Sequence, residues 1–151
     1  GLVMLSGPVL LPVEWGMYLF GSVWLGFIFL VDPLNDRKGL PSIWHDLRHG
    51  YPQRLKALLA SGAVCGILWE FWNYWASAKW FYIFPILREW TLFEMPLPGF
   101  LGFPLFAVEM FALYILAAEV LDDLSTRFDS AVPDPPTSRG YNSLRTTICL
   151  T

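Results

Sequence analysis

The chain has 151 residues, of which 55% are hydrophobic, 17% are aromatic and only 15% are charged. Soluble domains carry about a quarter charged residues, so this composition is typical of a membrane protein. The net charge of -3 argues against nucleic acid as a partner, because nucleic-acid binding needs a strongly basic face.

Three apolar runs in the sequence predict the architecture. A hydrocarbon core of roughly 30 Å is crossed by about 20 apolar helical residues. Runs of this length occupy residues 13–31, 58–75 and 98–118. We therefore predict an all-α integral membrane protein. Residues 1–118 would hold about three transmembrane helices with interfacial segments between them, one of them at residues 80–90, and residues 119–151 would form a polar tail.

The start of the chain lacks the features of a secretory signal. The first residue is Gly1 rather than methionine, and the residues after it have no basic region and no clear cleavage site. We expect Gly1 to begin a fragment, or the ordered part, of a longer chain whose earlier spans are missing.

The connectors differ in charge, which predicts the orientation. The connector 32–56 holds five basic residues, namely Arg37, Lys38, Arg48, Arg54 and Lys56. The connector 76–98 holds only two, Lys79 and Arg88. The positive-inside rule therefore places the 32–56 connector and the tail in the cytoplasm of a multi-pass protein of the bacterial inner membrane. Within this connector, helix-ending signals stand at Asp32-Pro33 and at Gly39-Leu40-Pro41. Ser42 predicts the cap of a short helix that follows.

Small and polar residues form one stripe along the second span. Gly62, Gly66, Glu70 and Asn73 recur at helical spacing, so they share one face. Small residues let a neighbouring helix approach closely in lipid, and the polar pair would then face that helix. We predict that this stripe and Glu109 form a helix-packing surface with a polar cluster.

Three acidic residues stand where acids are costly. A carboxylate at the bilayer centre costs about 2.5 to 3.5 kcal/mol, so Glu109 in the third span needs a partner helix, water or a proton. Glu70 and Glu94 lie near the membrane surface that is predicted at the end of the second span. They are candidates to lie together with Glu109 beside Asn73. We interpret such a cluster either as an interhelical hydrogen-bond clamp or as a proton donor.

No metal site is predicted. His45 and His49 are four residues apart and could share a helical face, but they lie in a polar connector and a solvated pair is the simpler interpretation. Cys65 and Cys149 fall in opposite environments and form no metal-binding spacing. Because neither histidine lies in a span, we expect this chain to ligate no haem or chlorophyll.

Tryptophans cluster at the far end of the second span and beyond it. We interpret them as interface anchors, because indole prefers the membrane boundary: Trp69, Trp72, Trp75, Trp80 and Trp90. The alternative is an aromatic groove for a polyene or a quinone. Contact with lipid, carotenoid or quinone therefore remains open, with no cofactor ligated by this chain.

Two stretches carry a resemblance to a known family. They read WEFWNYWASAKWFYIFP and LFEMPLPGFLGFPLFAVEMFALY, and with the connector DPLNDRKGLPSIWHDLRHG they cover Asp32 to Tyr114. This pattern resembles an uncharacterised bacterial polytopic membrane protein family, which implies a membrane-helical fold and no established activity.

A weaker similarity is to lycopene-cyclase-type carotenoid enzymes. Asn73, Ala76, Trp80 and Tyr82 would match one motif of that family, and Pro104 with Glu109 would match a second. The family has two adjacent acids soon after the proline, whereas this chain has a single acid five residues on. The resemblance implies proton-driven chemistry on a carotenoid, which this departure puts in doubt.

Two functions follow from these patterns. The first is an accessory or scaffolding subunit that packs against other transmembrane helices of a larger bacterial membrane complex, respiratory or photosynthetic, with membrane subunits and lipids as partners. The alternative is a membrane enzyme acting on a lipophilic isoprenoid such as a carotenoid. That enzyme would use Glu109, and also Glu70 or Glu94, as general acid.

Overall fold

The computed structural model describes residues 1–16, 18–83 and 89–131, and the chain divides into two compact units, Gly1–Ala117 and Ala118–Thr151. The described residues are mostly helical. In chain order the elements are α1 (Leu2–Leu10), α2 (Val13–Gly16), α3 (Phe20–Arg37), α4 (Ile43–Arg48), α5 (Gln53–Trp75), β1 (Thr91–Leu92), β2 (Met95–Pro96), α6 (Leu97–Phe100) and α7 (Gly102–Ala131).

Two helical segments in the described part of the chain are long and apolar enough to cross a membrane, by length and composition. They are Gln53–Trp75, with a mean hydropathy of 1.3, and Leu97–Arg127, with a mean hydropathy of 2.0. They contain the second and third predicted spans. The first predicted span, 13–31, falls on α2 and α3, so a third crossing stays a prediction.

Helix α3 does not end at the first of its two helix-ending signals. It continues through Pro33 to Arg37, so the helix end predicted at Asp32 and Pro33 is wrong, whereas the signal at Gly39 matches the observed end. Proline removes one backbone donor, but contacts made beyond it hold the last turns in place. The amide Nδ2 of buried Asn35 donates to the backbone oxygen of Ala112 at 2.9 Å, which fixes this end of α3 against α7.

The three long helices of the first unit alternate in direction. Gly102 lies against the ring of Trp24, and Asn35 bonds to Ala112, so α3 and α7 run the same way. Helix α5 runs the opposite way. The guanidinium of Arg54 lies 5.3 Å from the ring centroid of Phe111, while Gly66 lies against the ring of Phe103.

The connector between α3 and α5 is a structured polar segment. Ser42 caps α4, since its hydroxyl accepts the backbone N–H of His45 at 2.9 Å, and this confirms the predicted cap. Both carboxylate oxygens of buried Asp32 accept backbone N–H groups at 2.8 Å, one from Ile43 and one from Trp44. These two hydrogen bonds therefore hold the start of α4 against α3.

A short hairpin, which the sequence did not predict, precedes α6. Strands β1 and β2 pair antiparallel, with Leu92 opposite Met95. The turn between them places Phe93 at a φ of 57°, a left-handed conformation that is uncommon outside glycine. The ring of Phe93 lies 5.6 Å from that of Tyr74, centroid to centroid, so the hairpin packs beside the end of α5.

Two predicted segments lie partly outside the described residues. Residues 84–88 of the predicted interfacial segment 80–90 are outside the described residues. Its residues 80–83 are described and form no helix. The tail beyond Ala131 is also outside. In the second unit, residues 118–131 are the last turns of α7, and Arg127 pairs with Asp123 at 3.0 Å.

Candidate functional site

The buried face of α5 consists of the four residues of the predicted stripe. Gly62, Gly66, Glu70 and Asn73 are the buried residues of this helix. A methyl group on Gly62 would lie 2.5 Å from the backbone oxygen of Phe103, and one on Gly66 would lie 2.8 Å from the Phe103 ring. The glycines therefore allow α5 and α7 to approach until backbone meets backbone.

Glu70 lies at the polar end of this face and is fully buried. Its Oε1 accepts a hydrogen bond of 2.5 Å from the hydroxyl of Tyr82. The Nδ2 of Asn73 lies 3.5 Å from the same oxygen, which is the outer limit of a hydrogen bond. Oε2 is buried with no hydrogen-bond partner among the described residues. Tyr82 is thus the strongest described partner of this buried acid.

Asn73 holds the chain that follows α5. Its Oδ1 accepts the backbone N–H of Trp80 at 2.7 Å, and its Nδ2 donates to the backbone oxygen of Trp80 at 3.0 Å. The side-chain amide therefore imitates a paired peptide group, satisfying both backbone groups of one residue. This pairing turns the connector back over the end of the helix and brings Tyr82 within reach of Glu70.

Tyr82 is held on two sides. Its hydroxyl donates to Glu70 and accepts the indole N–H of Trp69 at 3.0 Å. Burial, followed by the hydrogen bond to Glu70, raises the pKa of Tyr82 from 10.0 to about 12, although the Trp69 bond acts in the opposite direction. The phenol therefore keeps its proton at any physiological pH and remains the donor to Glu70.

An aromatic cavity of about 530 Å³ lies beside this pair. Its volume falls within the range of about 300 to 1,000 Å³ that is common for small-ligand sites. Helices α3, α5, α6 and α7, the connector and β2 all contribute to its wall, which is formed by Trp24, Trp69, Trp80, Tyr82, Met95, Gly99, Gly102, Phe103 and Phe106. This wall is almost entirely apolar, and of the described residues that form it Tyr82 alone carries a side-chain oxygen.

The other predicted acids lie elsewhere. Glu94, in the hairpin turn, pairs with Lys79 at 2.8 Å. Glu109 is buried on α7, and its Oε2 has no hydrogen-bond partner in the described part of the chain. Among these residues, no hydrogen bond or ion pair joins Glu94 or Glu109 to Glu70. Of the predicted cluster, the structure brings together Glu70 and Asn73.

The predicted anchors divide into two groups. Trp72, Trp75 and Trp90 are exposed and lie away from the cavity wall. Trp69 and Trp80 are also exposed in part, but they line the cavity. The interface-belt interpretation therefore stays a prediction for Trp72, Trp75 and Trp90, and the aromatic-groove interpretation stays a prediction for Trp69 and Trp80.

The two histidines contact each other and an acid. Their rings stack at 4.2 Å between centroids, and Nδ1 of His45 lies 3.2 Å from Asp36, which also pairs with Arg48. Within residues 1–16, 18–83 and 89–131, no group of three or more His, Cys, Asp or Glu side chains could hold a metal ion.

Sequence reasoning missed several parts of the cavity. Trp24 lies in another helix, Met95 belongs to the unpredicted hairpin and Gly99 follows it. No short-range pattern therefore connects these residues with Trp69. The sequence placed Tyr82 only in the motif that resembles lycopene-cyclase-type enzymes, without a partner for its hydroxyl. Its position twelve residues after Glu70, with Asn73 between them, becomes meaningful only once the connector is known to fold back.

No protein family, curated protein or solved structure matches this chain. The resemblance of residues 32–114 to a bacterial polytopic family therefore stays a prediction.

Proposed function

We propose that the chain is a multi-pass membrane protein in which α3, α5 and α7 each cross the bilayer. The alternating directions of these helices support the proposal, because successive spans must alternate. The polar stripe of α5 is turned towards α7 and the connector, which leaves apolar side chains outside. This is the arrangement that a hydrocarbon environment requires.

The proposed location is the bacterial inner membrane. In the proposed orientation, the 32–56 connector and the tail lie in the cytoplasm. Five basic residues support this side for the connector. Two of them pair with acids of the same segment, Arg48 with Asp36 and Arg54 with Asp46. The rule counts lysine and arginine rather than net charge, so these pairs do not weaken it.

The function that this geometry supports best is an accessory or scaffolding subunit of a larger membrane complex. One observation carries it. In the most apolar windows of the two candidate spans, only 17% and 22% of the residues are buried. Side chains such as Ile67, Phe71 and Tyr114 stand exposed, and further membrane helices or lipid would cover them. Respiratory and photosynthetic assemblies both fit this role.

The test is the size of the particle released from native membranes by a mild detergent. We expect the tagged chain to migrate in a complex several times its own mass of 17.3 kDa and to bring other membrane subunits with it. Migration as a stable monomer, with lipid alone bound, would contradict the scaffolding role. That result would leave the membrane topology intact, because topology is measured separately.

A second candidate is an enzyme acting on a lipophilic isoprenoid, and the aromatic cavity favours it. Among the three predicted acids, Glu70 is the one connected to the cavity wall, through Tyr82. Glu94 pairs with Lys79 and is not part of the described cavity wall. Isoprenoid profiles of cells carrying Glu70→Gln and Glu109→Gln test this candidate. A changed profile for Glu70→Gln is expected, and unchanged profiles for both variants would exclude it.

A further inference from the structure

The hydrogen bonds around Tyr82 define what the cavity can bind at its polar end. A phenol has one proton to donate and two lone pairs that accept. The proton is given to Glu70, and one lone pair receives the indole N–H of Trp69. Among the described residues of the cavity wall, Tyr82 alone carries a side-chain oxygen, and one acceptor position on that oxygen has no partner within this part of the chain. A ligand that uses it must bring a hydrogen-bond donor.

The rest of the wall defines the body of that ligand. Its side chains are aromatic rings and one methionine, and Gly99 and Gly102 add no side chain of their own. Burying a ligand charge against such a surface would be costly, whereas burying hydrocarbon is favourable. The ligand is therefore neutral and mostly apolar.

We propose that this cavity binds a lipophilic alcohol, with the hydroxyl of the ligand donating to the oxygen of Tyr82 and its hydrocarbon chain lying among the aromatic residues. Membranes supply such molecules from two sources, prenols and fatty alcohols, which share this chemistry. The inference does not depend on the scaffolding role, because a subunit and an enzyme could both hold the ligand. A failure of the alcohol-binding proposal therefore leaves the scaffolding role untouched, and the reverse also holds.

The test compares each alcohol with its own methyl ether, which keeps the chain and the oxygen but loses the donor. Farnesol represents the prenols and hexadecanol the fatty alcohols. The purified full chain in phosphatidylcholine nanodiscs is titrated with each probe, and tryptophan fluorescence is read after subtraction of empty nanodiscs. Three of the eight tryptophans line the cavity, so occupancy should change the signal.

We expect saturable binding of at least one alcohol and binding of its ether that is weaker by about tenfold, the factor that one hydrogen bond contributes. The alcohol that saturates at the lower concentration identifies the source. Equal binding of alcohol and ether, or the absence of saturation with both alcohols, would overturn the proposal. This comparison needs no variant, so it holds even if a substitution at the site disturbs folding.

Two pairs of variants locate the effect. Tyr82→Phe should bind alcohol and ether equally, while Tyr114→Phe, at an exposed position away from the cavity, should keep the discrimination. Trp69→Phe should remove part of the fluorescence change, whereas Trp72→Phe, three residues on along the same helix and outside the wall, should leave it in full. If folded Tyr82→Phe still bound the alcohol more tightly than the ether, the hydroxyl of the ligand would bind elsewhere, which would contradict the proposal.

Discussion

The hydroxyl of Tyr82 donates a hydrogen bond of 2.5 Å to Oε1 of Glu70, a carboxyl that no solvent reaches. The two residues are twelve positions apart, one in the connector and one in α5. Asn73 makes the pairing possible, because it binds both backbone groups of Trp80 and turns the chain back. The buried acid on this apolar helix therefore takes its hydrogen-bond donor from the connector that follows the helix.

Removing this donor should destabilise the fold. In Tyr82→Phe, the distant amide of Asn73 would be the one remaining partner of Glu70 Oε1 among the described residues. Loss of a hydrogen bond to a buried carboxyl costs about 1 to 3 kcal/mol, so the free energy of unfolding in detergent should fall by that amount. Tyr114→Phe is the control, since Tyr114 is exposed. Equal unfolding midpoints for the two variants would show that the bond contributes nothing.

The alkaline titration of Tyr82 should be late. Its pKa is raised from 10.0 to about 12 in the folded chain, by burial first and by Glu70 second. Because the folded pKa is raised, the associated stability is complete below pH 10.0 and is lost as the pH rises through about 12. The check is tyrosinate absorbance of the wild type minus that of Tyr82→Phe. A difference that titrates near pH 10 would disprove the assignment.

The contact between α5 and α7 should not tolerate a methyl group at Gly62. That group would lie 2.5 Å from the backbone oxygen of Phe103 and 2.7 Å from the Cα of Pro104. Backbone atoms cannot rotate away from it as the end of a flexible side chain could. Gly62→Ala should therefore cost about 1 to 3 kcal/mol of unfolding free energy. Gly66→Ala meets a ring that can shift and should cost less. Gly21→Ala, with nothing within 4 Å, is the control, and parity of Gly62→Ala with it would refute the packing.

Periodicity predicted part of this site because helical spacing is a local property. The stripe of Gly62, Gly66, Glu70 and Asn73 is visible in the sequence, and these are the buried residues of α5. The cap at Ser42 was predictable for the same reason. The fold-back of Tyr82 was not, since it depends on how Asn73 meets Trp80 after the helix has ended.

The end of α3 shows the opposite case, in which a local signal is overridden. Asp32 and Pro33 are typical of a helix end, yet the helix continues to Arg37. The carboxylate of Asp32 caps α4, and Asn35 reaches Ala112 on α7. These are contacts between residues distant in sequence, and they hold the last turns against the preference of the local residues.

Asp32→Asn tests that cap. An amide has one oxygen, so one of the two backbone N–H groups of Ile43 and Trp44 would face an NH₂ group instead. We expect α4 to open more readily by about 1 kcal/mol, seen as faster hydrogen exchange over residues 43–48. Asp122→Asn, on the exposed end of α7, is the control. Unchanged exchange in Asp32→Asn would mean that the cap is not needed.

The central claim is that α5, with its inward polar stripe, crosses the membrane between a cytoplasmic connector and an external one. Accessibility of single cysteines in bacterial cells tests it most directly, with Cys65→Ala and Cys149→Ala as background. Tyr51→Cys and Ile83→Cys place exposed probes before and after the helix. A membrane-impermeant maleimide should label Ile83→Cys in intact spheroplasts and Tyr51→Cys only after lysis. Labelling of both positions under the same condition would contradict the account, because α5 would then not separate two sides of a membrane.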